Sequence, residues 1–233
     1  MIKAQIVADS KGPKGDRLTS FVITFPRIIL AELNTHRMLT KNSASSRAIP
    51  FNKMLLSVWK NSFVPIAWQK AHSGMQGSSY FEKKWQVKLI TLLWLTIRTL
   101  AIGVSWVLSK IGVTKQLCNR LLEPFMWHTV LITGGEDGLQ NFFDLRSPQY
   151  HSPVDTHFRH KSKKDCIAAH SAPENLEIFN SFTVVDWLKI NEGQAEIHMM
   201  ALAEAMWDAY NESTPKQLQA NQWHIPMIEV IED

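Results

Sequence analysis

The run LITLLWLTIRTLAIGVSWVL, from Leu89 to Leu108, constrains the fold more than any other stretch of the chain. Crossing a bilayer takes about 20 predominantly apolar residues, and this run has roughly that length. Arg98 stands near its middle, however, where insertion costs about 2.5–3.5 kcal/mol. Lys88, Thr91, Arg98, Ser105 and Ser109 also recur near one stripe at helical spacing. The run reads as an amphipathic helix with a wide apolar face, packed inside the protein or against another subunit. Membrane association is the competing reading, and the expectation is no membrane.

The rest of the composition is that of an ordinary globular protein. With 233 residues, 45% hydrophobic and 20% charged, the chain suits one domain of the α/β or α+β class. A net charge of +4 fits an anionic ligand as well as nucleic acid and decides between neither. Two cysteines, Cys118 and Cys166, make no disulfide framework, and MIKAQIVADSKGPKG has no apolar core of signal-peptide length. A reducing, cytoplasmic setting is expected.

IKAQIVAD (2–9) and RLTSFVITF (17–25) alternate as strands across a Gly12-Pro13-Lys14-Gly15 turn. PRIILAELNTHR predicts a helix with Ile29, Leu33 and His36 along one side, opened by Pro26. Residues 43–46 read as a loop, FNKMLLSVWK as a short amphipathic helix and HSGMQGSS (72–79) as a loop. A second long helix is expected over 115–133, broken by GGEDG, and NFFDLR resumes an apolar pattern. Between 147 and 192 the texture turns to prolines, histidines and the basic patch HFRHKSKK, which reads as a partly exposed insertion in a single 1–233 domain. GQAEIHMMALAEAMWDAY closes the chain's pattern as a clear helix, and a tail containing WHIP follows.

THRMLTKNSASSR, Thr35 to Arg47, places two arginines, a histidine and several hydroxyls directly after an apolar segment. An arginine fork holds two phosphate oxygens at once, and serine hydroxyls and loop N–H groups fill the remaining acceptors. A solvated helix end has the same composition, so the residues alone leave both readings open.

The spacing of His36, Arg37, Asn42, Ser45 and Arg47 resembles the signature of the flavin-dependent thymidylate synthases: Arg-His-Arg, seven residues, Ser, with an Asn before and an Arg after. NRLLEPF, with Arg120 and Pro124, resembles that family's Arg-x-x-x-Pro segment. NFFDLR, with Asn141 and Arg146, resembles its Asn-Phe-Leu-x-Leu-Arg element, and GQAEI its Ala-Gln-x-Glu-Ile segment. NSASSRAIP, NRLLEPFMWHT and WH-x-P are similar to the viral branch.

The resemblance implies an α/β subunit with an antiparallel sheet and long helices, in a homotetramer that holds FAD where subunits meet. It implies transfer of a one-carbon unit from methylenetetrahydrofolate to dUMP, with NADPH as reductant. FAD contacts are implied at His36, Arg37, Asn42 and Asn141. Contacts to a pyrimidine deoxynucleotide are implied at Glu32, Thr35, Ser43, Ser45, Ser46, Arg47, Arg120 and Arg146. Ser45, Arg47, Arg120 and Arg146 would take the 5′-phosphate.

No catalytic side chain is assigned, because reduced flavin donates the hydride in that family. The chain departs from the family at Thr35 (usually Arg), Ser43 (Glu), Ala48 (Tyr) and Glu32 (Gln), and GGEDG lacks an Asn-x-Arg pair. These changes surround the pyrimidine. A cytosine base, a hydroxymethyl product and a non-catalytic flavin- or nucleotide-binding relative therefore stay open. His151, His157, His160, Cys166 and His170 suit zinc by chemistry. Their spacing matches no strong zinc signature, so a solvated loop without metal is expected.

Overall fold

The computed structural model describes residues 1–45, 47–73, 77–153 and 155–227. Its frame is a sheet with strand order β3-β4-β2-β1-β7. β1 (Lys3–Lys11) and β2 (Arg17–Pro26) form the expected antiparallel hairpin. Gly15, at φ 91°, takes the left-handed turn position that glycine adopts without a Cβ penalty. Phe21, Ile23 and Phe25 alternate inward from β2 and are fully buried, as period-two patterning requires.

After a 3-10 turn at Arg27–Ile29 come α1 (Leu30–Asn34) and β3 (Thr40–Ser43). The helix expected through Arg37 stops at Asn34, and Ser43 belongs to a strand rather than to the predicted loop. α2 (Phe51–Lys60) and α3 (Lys84–Lys110) follow. Of the glycine- and serine-rich segment at 72–79, residues 74–76 lie outside the described residues.

The helix expected over 115–133 is corrected. α4 covers only Lys115–Arg120, and β4 (Trp127–Gly135) is a strand between β2 and β3. Pro124 ends the helical stretch, and Thr129, Val130, Ile132 and Thr133 supply the β-branched side chains that a pleated surface favours. GGEDG is thus a strand-to-helix junction. α5 (Glu136–Arg146) begins there with Glu136 and Asp137 in its positive first turn and ends on Arg146 in its negative last turn.

Residues 147–192 are not a loop either. β5 (Tyr150–Ser152) pairs with β6 (Asp155–His160), and α6 (Lys163–Ala169), α7 (Pro173–Ser181) and α8 (Val184–Lys189) follow. Tyr150, Cys166, Phe179 and Trp187 build a small core there. α9 (Ile197–Glu212) starts four residues later than the pattern suggested, because Glu196 caps it by accepting from the His198 and Met199 N–H groups. β7 (Lys216–Gln217) closes the sheet beside β1. α5 and α9 cover the sheet's inner face through Leu139, Phe142, Phe143, Met199 and Met206.

α3 overturns the core reading of the apolar run. Its polar stripe faces the protein: Thr91 accepts from the Trp68 indole at 3.1 Å, Arg98 reaches Ser62 at 3.2 Å, and Ser105 is fully buried. The apolar side faces away, leaving Trp85 64%, Leu92 61% and Leu100 63% exposed. By length and composition alone α3 would pass as a membrane span.

Candidate functional site

Three of the four sequence motifs meet at one end of α5. Gly138 in its first turn lets residues 36–39 approach, since a Cβ there would lie 3.1 Å from the Met38 carbonyl oxygen. One turn on, Phe142 meets the His36 ring edge-on with centroids 4.9 Å apart. A further turn on, Arg146 donates from Nε to His36 Nε2 at 2.9 Å and pairs with Glu32 Oε1 at 2.8 Å. Residues 138, 142 and 146 share one face of α5 because they are four apart.

The electrostatics of this node follow from burial. His36 is 7% exposed, and burial first, then the Arg146 and Lys41 cations, lower its pKa to about 4. It is therefore neutral near pH 7. Because Nε2 accepts, its proton sits on Nδ1. Lys41 donates to the His36 carbonyl oxygen at 2.5 Å and the Leu39 carbonyl oxygen at 3.0 Å, which braces the turn. Burial raises the Glu32 carboxyl, an effect that Arg146 opposes and Glu196 reinforces. Glu196, from the GQAEI segment, also accepts from His198 Nδ1 at 2.5 Å, and His198 Nε2 accepts from the Ile66 N–H at 3.1 Å.

The fourth motif stands apart from this node. Arg120, exposed at the end of α4, lines a cleft of about 300 Å³ with Arg27, Ile28, Glu123 and Pro124. Arg27 pairs with Glu123 at 3.3 Å and reaches the His128 ring at 3.1 Å. Burial first and Arg27 second lower the His128 pKa to about 4. Arg27 and the role of His128 were missed in the sequence: an arginine directly after a strand is equally common on plain surfaces, and His128 stood out only as part of the NRLLEPFMWHT run.

The other expected residues are placed as follows. Ser45 accepts from the Arg47 N–H at 3.3 Å, and both side chains are exposed. Asn119, next to Arg120, donates to the Ile49 carbonyl oxygen at 3.2 Å and so ties the Arg47 loop to α4. Asn42 and Ser43 are exposed on edge strand β3. Thr35 is exposed and its hydroxyl donates to the Glu32 carbonyl oxygen at 2.7 Å. Arg37 and Asn141 are exposed, whereas the His36 ring between them and the core is not. Ser46 lies outside the described residues.

Two groupings result: Glu32, His36 and Arg146 in contact at one end of α5, and the exposed Ser45 and Arg47 on the loop that Asn119, next to Arg120, ties to α4. Of the four phosphate candidates, Arg146 has its guanidinium engaged by Glu32 and His36 within the protein itself. A cavity of about 510 Å³ runs along α3 past Val87, Thr91 and Leu95, away from both groupings.

No family model and no curated protein matches the chain. Among solved structures it is similar to the UMP/dUMP methylase PolB from Streptomyces cacaoi bound with 5-Br UMP. That likeness has a TM-score of 0.59 and 13% identity over 91% of this chain and 89% of that chain. The same methylase bound with 5-Br dUMP gives a TM-score of 0.52 and 12% identity over 78% of this chain and 96% of that chain. The chain has the fold of these pyrimidine-nucleotide methylases.

Proposed function

We propose that the protein is an FAD-dependent enzyme that transfers a one-carbon unit from methylenetetrahydrofolate to C5 of a pyrimidine deoxynucleoside monophosphate, converting dUMP to dTMP with NADPH as reductant. The observation that carries this reading is the meeting of residues from three ordered motifs, Glu32, His36, Arg146 and Glu196, around the end of one helix. The fold supports it.

Ser45, Arg47 and Arg120 would hold the 5′-phosphate. Both guanidinium groups are exposed and make no ion pair among the described residues. Charge-assisted hydrogen bonds of this kind are worth roughly 1.5–3 kcal/mol each. The donor set also fits FAD. Arg37 precedes Met38, which packs on Gly138, and Asn141 follows Gly138 by one turn, so an exposed cation and an exposed amide flank the same contact. Arg37, Asn42 and Asn141 would hold FAD, which when reduced supplies hydride. Neutral His36 acts from behind, holding the turn that presents Arg37.

The apolar side of α3 supports assembly as a homotetramer, since large exposed apolar patches mark interfaces. A non-catalytic nucleotide- or flavin-binding relative is the second reading, favoured by the Glu32–Arg146 pair, which takes one expected phosphate ligand. The test is an absorbance spectrum of the purified protein with FAD, followed by product analysis with dUMP, methylenetetrahydrofolate and NADPH. A flavin spectrum with dTMP formation is expected. A flavin spectrum without folate-dependent turnover establishes the second reading, and folded protein that takes up no FAD and binds no dUMP contradicts both.

A further inference from the structure

Outside this site, the segment between β5 and α8 gathers three side chains whose chemistry the nucleotide reaction does not use. His160 ends β6, Cys166 lies in α6 and His170 follows the last turn of α6. Each offers one ligand atom, and these atoms all lie within 4.8 Å of one another. We propose that His160, Cys166 and His170 form a binding site for a zinc-class divalent cation, which staples the end of β6 to both ends of α6 within the 150–191 segment.

Four observations carry this. Cys166 is fully buried. His160 Nε2 is buried with no hydrogen-bond partner, and orphaned buried nitrogens are rare enough to require an explanation. His170 Nδ1 lies 2.9 Å from the Cys166 carbonyl oxygen, which only accepts, so the proton sits on Nδ1 and the Nε2 lone pair is left for a ligand. That arrangement is how a backbone carbonyl fixes the tautomer of a metal-binding histidine. The two imidazoles lie edge to face, at 86° with centroids 5.6 Å apart, which brings both rings to one place.

The surroundings are fixed well enough to hold such a site. Ser162 caps α6 by accepting from the Asp165 N–H at 3.0 Å, which sets the turn between His160 and Cys166. Trp207 of α9 donates to Asp165 at 2.6 Å, and Glu204 of α9 accepts from the Lys163 N–H at 2.8 Å and the Tyr150 hydroxyl at 3.2 Å. The ligand-bearing turn is thus anchored to the helix that packs on the sheet.

Zinc bonds of about 2.0–2.1 Å to nitrogen and 2.3 Å to sulfur in a tetrahedron put ligand atoms roughly 3.3–3.6 Å apart. The three atoms therefore close on an ion with a movement of about 1 Å. A thiolate with two imidazoles selects zinc over calcium or magnesium, which take oxygen ligands. Binding exchanges the Cys166 S–H bond for a zinc–sulfur bond and releases one proton to solvent, with no change of oxidation state. Three protein ligands leave the fourth position to water. The local core of Tyr150, Cys166, Phe179 and Trp187 is small, and small cores are the ones that metals staple.

The experiment is a cobalt(II) titration of the full chain after stripping with a chelator. Expected are one cobalt per chain, a thiolate-to-cobalt charge-transfer band, the strong visible bands of four-coordinate cobalt, and displacement of all of these by zinc. Cys166→Ser should abolish the charge-transfer band, and His160→Ala and His170→Ala should each weaken zinc binding at least tenfold. Cys118→Ser, whose thiol lies in the separate α2–α4 core, should leave the spectrum unchanged. Zinc should raise the melting temperature of the parent and not that of Cys166→Ser. Should Cys166→Ser fail to fold, the two histidine variants, checked by circular dichroism, read the same site. A folded parent without a thiolate–cobalt band, or a Cys166→Ser or a pair of histidine variants with parental zinc affinity, overturns the proposal.

Discussion

Arg146 and Arg47 present the same guanidinium in opposite circumstances. Arg146 ends a buried helix face, with Glu32 at 2.8 Å and His36 at 2.9 Å, and the ring it touches packs on Phe142. Arg47 sits on an exposed loop held at one end by the pairing of β3 with β4 and at the other by the Asn119 bond to Ile49. The buried node is built to be rigid, and its charges are satisfied by the protein itself. The exposed rim keeps its charges available, at little cost in stability, for a ligand that brings its own anion. In this division the node holds the turn in place and the rim binds.

That division breaks first at the core. Phe142→Ala should cost about 3–5 kcal/mol in denaturant unfolding, as large aromatic truncations in cores do. Arg47→Ala should change stability by no more than about 0.5 kcal/mol. Equal costs would erase the distinction between node and rim.

Acid should test the buried histidines next. His36 and His128 have pKa values near 4 in the folded protein against 6.5 for the ordinary side chain. Between those values the unfolded chain binds more protons, so stability rises with pH and is lost as pH falls from 6.5 toward 4. The loss by about pH 5 should be on the order of 2 kcal/mol for each histidine, at about 1.4 kcal/mol per unit of pKa difference. Urea unfolding at neutral and acid pH measures it, and His36→Gln should remove about half of the dependence, leaving that of His128. A parent whose stability is flat over this range contradicts a neutral, buried His36.

The smallest effect sharpens the comparison from the other side. Glu32→Gln removes the carboxylate that engages Arg146 and should release the guanidinium toward a phosphate. Binding of dUMP should tighten roughly tenfold, which corresponds to about 1.4 kcal/mol. Unchanged affinity in a calorimetric titration would mean that Arg146 only braces the node.

The elements legible in the sequence were those with one dominant local signal. β1 and β2 alternate cleanly, and α2 matches its expected span from Phe51 to Lys60. β4 was hidden because the apolar pattern of α4 runs on through NRLLEPF, and only Pro124 and the β-branched residues after it mark the change. For α3 the periodicity separated two faces correctly, but it could not say which face meets the protein. That depends on Ser62 and Trp68, distant partners that no local window contains.

The candidate site was legible as motifs and not as contacts. Nothing in the spacing says that Glu32 reaches across more than a hundred residues to Arg146, or that His36 turns inward while Arg37 stays out. His160, Cys166 and His170 were legible as three of five residues of zinc-binding chemistry, but not as a group, because a strand end and a helix bring them together without a recognised metal spacing.

The most direct measurement of the central claim is calorimetric titration of dUMP and deoxyuridine into the parent and Arg47→Ala proteins with FAD present. The account predicts that the parent binds dUMP, and that Arg47→Ala weakens this by on the order of ten- to a hundredfold, the loss of one charge-assisted phosphate contact. Deoxyuridine should bind poorly to both proteins and be nearly indifferent to the substitution. Equal affinity of the parent for dUMP and deoxyuridine, or an Arg47→Ala protein that binds dUMP as the parent does, would contradict it.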